Sequence, residues 1–224
     1  MTETIENILF DLDGTLTNPK EGIINSILFA LKKLEIRENN VNELDSFIGP
    51  PLRESFKTRY NLTDIKADQA VNVYREYFST QGLFENEPYF GVEELLEALS
   101  INNFKLYVAT SKPTVFAQQI LRHFNLEKYF IEIIGSNLDN SRTDKTEIIS
   151  HVVSAHQLKT SKSIMVGDRK YDIIGAKNNS VKTIGVTYGY GSLEELTLCK
   201  PDLIAENCTE LKNIFLKLPV PNIG

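Results

Sequence analysis

The sequence predicts an α/β fold in which a doubly wound, Rossmann-like parallel sheet carries an inserted all-helical domain. Two observations predict the sheet: short apolar runs recur along the chain, and segments with helical spacing of apolar residues separate them. A third observation predicts the inserted domain, because an interval of helical segments without a convincing strand follows the first run. The chain has 224 residues, which is enough for one such domain and a smaller insert.

The strands are predicted from runs that are continuously apolar rather than alternating, which is typical of strands covered on both faces. Between them, apolar residues at spacings of three and four predict helices at 91–103, 114–126 and 144–156. This alternation of strand and helix is the pattern of a doubly wound domain. The predicted strands are 8–10, 106–109, 130–134, 164–166, 181–186 and 203–205.

The helical insert is predicted at residues 17–85, and the α/β core at residues 1–16 and 86–224. Pro19 and Pro88 mark the two tethers that connect the insert to the core. Because the insert directly follows the first strand, we expect it to cover the edge of the sheet as a cap.

Two long amphipathic segments, 21–36 and 64–80, predict the main helices of the helical insert. A proline-rich loop, 47–56, is predicted between them. A second glycine-containing segment, YGYGS at 188–192, lacks the spacing of a nucleotide-binding motif and is predicted to be an ordinary loop.

Composition and charge argue against several classes of protein. The two cysteines form no Cys-x-x-Cys motif and there are three histidines, so neither a disulfide framework nor a zinc site is indicated. The net charge of −6 without a basic stretch argues against a nucleic acid polymer as partner, and no apolar run approaches the ~20 residues of a membrane span. We expect a cytoplasmic monomer or homodimer that binds a small metabolite.

Polar side chains follow the predicted strands, and the carboxyl ends of parallel strands meet at one edge of the sheet. Each side chain alone has an ordinary explanation as a turn residue, a helix cap or a surface lysine. Because such residues follow several strands in the order of the chain, and all at the same edge, they indicate a single catalytic site. The side chains are those of Asp11, Asp13, Thr110, Ser111, Lys145, Asp168 and Asp172.

These motifs resemble those of the haloacid dehalogenase superfamily of phosphatases. DLDGT at 11–15 matches the first motif and GDRKYDIIGA at 167–176 the fourth, while ATS at 109–111 and Lys145 match the shorter second and third motifs. Nearly the whole chain is covered, and the sequence is most similar to phosphoglycolate phosphatases and related nucleotidases. The resemblance implies a sheet with its first strand in a central position and Mg²⁺ as cofactor.

The resemblance implies a role for each residue of the first motif. Asp11 would be the nucleophile that forms an aspartyl-phosphate, and Asp13 would protonate the leaving oxygen and then activate water. Gly14 would expose backbone amides to phosphate oxygens. The dehalogenating members of the superfamily do not use the second acid, so Asp13 favours a phosphate ester over a halogenated compound as the substrate.

Lys145 and Thr110 would hold the remaining phosphate oxygens, and Ser111 would assist through its backbone. Lys112 is a second candidate for the role of Lys145. Arg53, in the loop of the helical insert, either pairs with a second anionic group of the substrate or lies on the solvated face of a helix.

The four aspartates of the first and fourth motifs carry a total charge of up to −4, of which the charge of +1 on Lys145 offsets one unit. At an effective dielectric of about 20, two like charges ~4 Å apart cost about 4 kcal/mol, so an anionic substrate needs a cation nearby. Mg²⁺ would be held by Asp11, Asp168 and the carbonyl of Asp13, and Asp172 would orient a water on the metal.

The expected function is Mg²⁺-dependent hydrolysis of a phosphomonoester of a small metabolite, as in phosphoglycolate phosphatases. A 5′-nucleotidase and a sugar-phosphate mutase resembling β-phosphoglucomutase are alternatives, and the loop at 47–56 is more similar to nucleotidases. A phospho-acceptor receiver domain would be about half as long and would lack the helical insert. A binding protein on a decayed phosphatase fold would usually have lost one of the motif residues.

Overall fold

A six-stranded parallel sheet forms the centre of the protein in the computed structural model, which describes residues 4–139 and 141–219. The strands of this sheet are β1 (Asn7–Phe10), β4 (Lys105–Pro113), β5 (Glu132–Ser136), β6 (Ser163–Gly167), β7 (Lys182–Val186) and β8 (Leu203–Ala205). Two short strands, β2 (Thr17–Asn18) and β3 (Glu87–Pro88), form a separate pair. The sheet order is β5-β4-β1-β6-β7-β8, with parallel neighbours throughout. β1 therefore lies inside the sheet, and the predicted α/β class is confirmed.

Helices cover both faces of the sheet, which is why the strands read as continuous apolar runs. Ile8 and Phe10 of β1 belong to one buried cluster with the helices at 92–101, 114–123 and 208–216, whereas Leu9 belongs to a second cluster with the helices at 145–155 and 170–178. In the described part of the chain, no helix combines the length and apolar character that crossing a bilayer requires. The helices are α1 (Lys20–Lys33), α2 (Leu52–Tyr60), α3 (Asp64–Tyr77), α4 (Val92–Ile101), α5 (Thr114–His123), α6 (Lys145–Ala155), α7 (Lys170–Asn178), α8 (Leu193–Cys199) and α9 (Cys208–Leu216).

The helical insert contains α1, α2 and α3, a 3₁₀ helix at Val41–Phe47 and a π-helical turn at Phe78–Gly82. Phe56 packs at its centre, with its ring centroid 5.2 Å from that of Phe47. The prediction of a loop over 47–56 was too long, because α2 begins at Leu52. Proline fixes a backbone angle that suits a helix start, so the proline pair ends the loop instead of extending it.

The two tethers of the helical insert pair with each other as β2 and β3, an antiparallel pair that the sequence did not predict. Two-residue strands are too short to carry a periodic pattern. Beside this pair, the chain crosses itself closely: a Cβ added to Gly22 would lie 1.9 Å from the carbonyl oxygen of Gly82. Glycine at this crossing lets the insert leave and rejoin the core at one point.

β4 continues beyond the predicted end at residue 109 and reaches Pro113. Its register with β5 shifts between Ala109 and Pro113, so Thr110 to Lys112 lie in an irregular stretch of the strand. Irregular stretches of this kind redirect side chains. The residues of the second motif therefore lie within a strand end that bends at the site, rather than in the loop after it.

Candidate active site

Three carboxylates meet at the carboxyl ends of β1 and β6. One oxygen each from Asp11, Asp168 and Asp172 lies within 4.8 Å of the others, and all three residues are buried. The backbone N–H of Asp11 donates to the carbonyl of Val166 at 2.9 Å, which extends the pairing of β1 with β6 to the first motif. The convergence that the sequence predicted is thus present.

Lys145 lies between two of these carboxylates. Its Nζ is 2.7 Å from Oδ1 of Asp11 and 2.7 Å from Oδ1 of Asp172, and it donates to the carbonyl of Ala109 at 2.8 Å. Burial lowers the pKa of the Lys145 ammonium, but the two carboxylates outweigh burial and raise it above its ordinary value. Lys145 is the first residue of α6, where Asp144 caps the helix through the N–H of Thr146.

The aspartates carry more negative charge than Lys145 offsets. Burial raises the pKa of the Asp168 carboxyl to about 8, and the neighbouring charges of Asp172 and Asp11 add to the shift. Burial also raises the pKa of Asp172 to about 6, although Lys145 opposes that shift. Without a cation, the cluster therefore holds protons on carboxylates that would be ionised in water.

A glycine of the first motif allows Asp168 to approach the loop after β1. Gly14 has a φ of +86°, and a Cβ at this position would lie 2.3 Å from Oδ2 of Asp168. The adjacent Thr15 donates through Oγ1 to Oδ1 of Asp168 at 3.4 Å. Any other residue at position 14 would push Asp168 away, so Gly14 is required for the shape of the cluster. The amides that it was predicted to expose are engaged within the turn, because the N–H of Gly14 donates to the carbonyl of Thr17 at 2.8 Å and the N–H of Thr15 donates to the carbonyl of Leu12 at 3.2 Å.

The loop at 188–192, which the sequence classed as ordinary, contacts the cluster directly. The backbone N–H of Tyr190 donates to Oδ2 of Asp168 at 2.7 Å, and the hydroxyl of Tyr188 donates to the carbonyl of Thr15 at 2.9 Å. A Cβ added to Gly189 would lie 2.3 Å from the carbonyl oxygen of Gly14. The two glycines of YGYGS are a sequence signal for such a close approach, but their spacing does not identify the segment that they approach.

A cavity of about 340 Å³ lies between the core and the helical insert. Asp11 and Asp13 line its floor, and Nζ of Lys112 is 2.7 Å from Oδ2 of Asp13. Burial raises the pKa of Asp13, and Lys112 opposes the shift. Oδ1 of Asp13 is buried and has no hydrogen-bond partner among the described residues. The floor thus presents two carboxylates to a ligand.

The residues of the second motif lie beside this floor. Thr110 is buried, and its Oγ1 accepts from the N–H of Lys112 at 3.3 Å. The hydroxyl of Ser111 donates to the carbonyl of Thr143 at 3.2 Å, so its side chain is already engaged. Lys112, the second candidate of the sequence analysis, faces Asp13 and not the cluster around Lys145.

The opposite wall of the cavity is largely aromatic. The ring of Phe78 stacks on Tyr74 with centroids 5.2 Å apart and meets Phe116 edge-on at 5.5 Å. Nζ of Lys112 lies 4.6 Å from the centroid of Phe78, so this ring covers the cation as well.

Arg53 also lines the cavity, but its guanidinium is engaged within the helical insert. Its Nε is 2.6 Å from Asp68, its Nη2 is 2.8 Å from Asp64 and its Nη1 is 3.1 Å from Glu54. A substrate anion would have to compete with these carboxylates for Arg53. Its predicted part in substrate binding stays a prediction.

The residues of the cluster fit a hard divalent cation. Among the described residues, the ion pairs of the four aspartates are with Lys145 and Lys112, which leaves two negative charges if all six groups are ionised. The donors that Asp11, Asp168 and Asp172 offer are carboxylate oxygens, which Mg²⁺ prefers. A bound cation would remove the charge excess that raises the pKa of Asp168.

Comparison with known proteins assigns most of the chain to one protein family. Residues 8–186 match the model of a family described as haloacid dehalogenase-like hydrolase. A relative from Pseudomonas aeruginosa, named 5′-nucleotidase, is 47% identical over 93% of this chain and 95% of its own length. Tyrosine-protein kinase PtkA of Mycobacterium tuberculosis is 34% identical over 84% of this chain and 64% of its own length.

A solved structure gives the same result for the fold. The crystal structure of a predicted phosphatase from Clostridium acetobutylicum is similar with a TM-score of 0.93 and 44% sequence identity. The similarity covers 96% of this chain and 100% of the other. Sheet, helices and helical insert therefore have a counterpart that was solved experimentally.

We expect the metal-free protein to lose stability as the pH rises, in part because of Asp168. The unfolded chain releases this proton near the ordinary pKa of 3.8, whereas the folded protein keeps it up to about 8. Between these values the folded state binds the extra proton, so each pH unit removes up to about 1.4 kcal/mol of unfolding free energy. Urea unfolding in EDTA from about pH 5 to about pH 8 measures this slope.

Asp168→Asn should reduce the slope, because the amide does not titrate. Asp45→Asn, which changes the exposed partner of Lys20, is the matched control and should keep the slope of the unchanged protein. Equal slopes for Asp168→Asn and the unchanged protein would contradict the assignment.

Proposed function

Because the chain belongs to the haloacid dehalogenase-like hydrolases and is a phosphatase, we propose that it hydrolyses phosphomonoesters with Mg²⁺ as cofactor and Asp11 as nucleophile. The observation that carries the proposal is the arrangement of Asp11, Asp168 and Asp172 around one position beside Lys145. Asp11 belongs both to this cluster and to the floor of the cavity. A phosphate bound there would contact the nucleophile and lie next to the cation.

Asp11 and Asp13 would act in sequence on the ester. A carboxylate oxygen of Asp11 attacks phosphorus, the bond from phosphorus to the ester oxygen breaks, and Asp13 gives that oxygen a proton. Asp13 then takes a proton from water, whose oxygen attacks phosphorus and frees the carboxylate of Asp11. The raised pKa of Asp13 supports its part, because a carboxyl group must be protonated to donate.

Asp11, Asp168 and the carbonyl oxygen of Asp13 are the groups that would hold Mg²⁺. The cation, when bound, neutralises the aspartates and polarises the phosphoryl group. Lys145 would hold a phosphate oxygen while its contact with Asp172 fixes its ammonium group in place. Thr110 and the backbone of Ser111 would bind other phosphate oxygens.

The helical insert, 17–85, would act as a cap domain on a core of residues 1–16 and 86–224. Its residues form one wall of the cavity, so it would exclude bulk water from the phospho-enzyme and select the leaving group. Location in the cytoplasm and a monomeric or homodimeric state stay predictions.

For the substrate, we propose a nucleoside monophosphate. The wall formed by Tyr74, Phe78 and Phe116 is aromatic and apolar, so it suits contact with a base better than contact with a second carboxylate. The carboxylate of 2-phosphoglycolate would need a cation, but Arg53 and Lys112 are already paired with carboxylates and Arg75, which also lines the cavity, donates to the carbonyl of Leu138 at 2.8 Å. The name of the Pseudomonas relative points the same way.

Phosphoglycolate hydrolysis and sugar-phosphate transfer remain the alternatives. The first requires that the substrate carboxylate displace an acid from Arg53 or Lys112, or compete with the carbonyl of Leu138 for Arg75. The second requires that the phospho-enzyme survive in water long enough to return its phosphoryl group to a sugar.

We expect Asp11→Asn to lower kcat at least about 10³-fold, because the amide is a poor nucleophile while its shape is preserved. Turnover of a nucleoside monophosphate and the thermal unfolding midpoint are measured together. Asp45→Asn is the control, because Asp45 pairs with Lys20 and is not among the residues that line the cavity, and it should leave turnover unchanged. Full activity in Asp11→Asn would eliminate this residue as nucleophile.

Removal of divalent cations with EDTA should abolish turnover reversibly. The two uncompensated negative charges repel a phosphate dianion, and added Mg²⁺ should restore the rate as it fills the cluster. Release of phosphate is measured before chelation, after it, and during titration with Mg²⁺. Activity that persists in EDTA after dialysis would rule out the metal assignment.

The kcat/KM for nucleoside monophosphates should exceed that for 2-phosphoglycolate by about tenfold or more, which corresponds to about 1.4 kcal/mol of contact with the aromatic wall. Phe116→Leu keeps an apolar side chain but removes a ring, so it should reduce this ratio. Phe90→Leu changes a ring that is 93% exposed and should not. A higher kcat/KM for 2-phosphoglycolate would overturn the substrate proposal and leave the chemistry of Asp11 intact.

A further inference from the structure

Arg169 connects the aspartate cluster to the helical insert. It follows Asp168 directly, and its backbone N–H donates to Oδ2 of Asp172 at 3.0 Å. Its side chain extends in the other direction, where Nη1 donates to the carbonyl of Ile48 in the insert. One residue therefore contacts a cluster carboxylate through its backbone and the insert through its side chain.

The guanidinium of Arg169 is held in one orientation. Its Nε is 2.9 Å from Oε1 of Glu195 and its Nη2 is 3.4 Å from Oε2, so the pair is bidentate. The side chain is 12% exposed. Because a guanidinium is planar, two bonds to Glu195 fix the direction of Nη1 and hence the place where the carbonyl of Ile48 can bind.

The loop of the helical insert lies directly on this group. Gly49 has a φ of +105°, and a Cβ added there would be 3.0 Å from both Cγ and Nη1 of Arg169. Ile48 itself is fully buried. Gly49, Pro50 and Pro51 line the cavity, so the position of the guanidinium sets the position of this wall.

We propose that Arg169 is a positioning residue for substrate selection: it seats the loop of Ile48 and Gly49 at the distance from the aspartate cluster that a large leaving group requires. The inference rests on the proposed phosphatase chemistry and assigns it a further residue. Arg169 itself touches no reacting atom. A small leaving group does not reach the loop, so its binding depends little on the position of the loop. A nucleoside contacts the loop, so its binding depends on that position.

Arg169→Lys tests this role, because lysine keeps the charge but cannot bind Glu195 twice and also reach the carbonyl of Ile48. The kcat and KM are measured for a nucleoside monophosphate and for acetyl phosphate. The ratio of kcat/KM between the two substrates should fall about tenfold, mainly through a higher KM for the nucleotide, because a charge-assisted hydrogen bond is lost.

The matched control is Arg122→Lys, which alters a second bidentate pair, with Glu127, at the surface of the core. It should leave the ratio unchanged. Glu195→Gln weakens the hold on the guanidinium without touching the insert, and it should lower the ratio in the same direction as Arg169→Lys.

An unchanged ratio in Arg169→Lys would overturn the inference. An equal loss for both substrates, with a lower unfolding midpoint, would also overturn it, because that result identifies a purely structural residue. If the unchanged protein hydrolyses neither phosphate compound, the proposed function fails instead, and the two failures are thereby distinguished.

Discussion

The excess of buried negative charge at the carboxyl edge of the sheet is the constraint on which the rest of the site depends. Asp11 and Asp168 follow two neighbouring strands, Asp172 joins them from the first turn of α7, and Lys145 offsets only part of their charge. Such a cluster is unfavourable in a protein interior unless a cation or protons compensate it. The surrounding loops are built around this requirement: Gly14 permits the close approach of Asp168, and the N–H of Tyr190 binds its oxygen.

The cavity is lined by both parts of the chain. The core supplies the aspartates and Lys145 from strand ends and helix starts. The helical insert supplies most of the aromatic wall and the loop at Gly49, which close the cavity by lying against the core. Arg169 and Lys112 each touch both parts, since Arg169 binds Ile48 and Lys112 lies under Phe78.

The elements of the core could be predicted from the sequence because each depends on local information. Continuous apolar runs gave the six strands of the sheet, and acids and hydroxyls at their ends gave the site residues. What could not be predicted depends on partners distant along the chain: the pairing of β2 with β3, the ion pair of Lys112 with Asp13, and the contact of Arg169 with Ile48. The bend within β4 was missed because a register shift appears only when the neighbouring strand is known.

The pairing of Thr17 with Pro88 brings the entry and exit of the helical insert side by side. A segment whose two ends are adjacent can lengthen, shorten or be exchanged without altering the register of the strands beneath it. The wall that the insert contributes to the cavity can therefore change in sequence while the strand ends that carry Asp11 and Asp168 keep their positions.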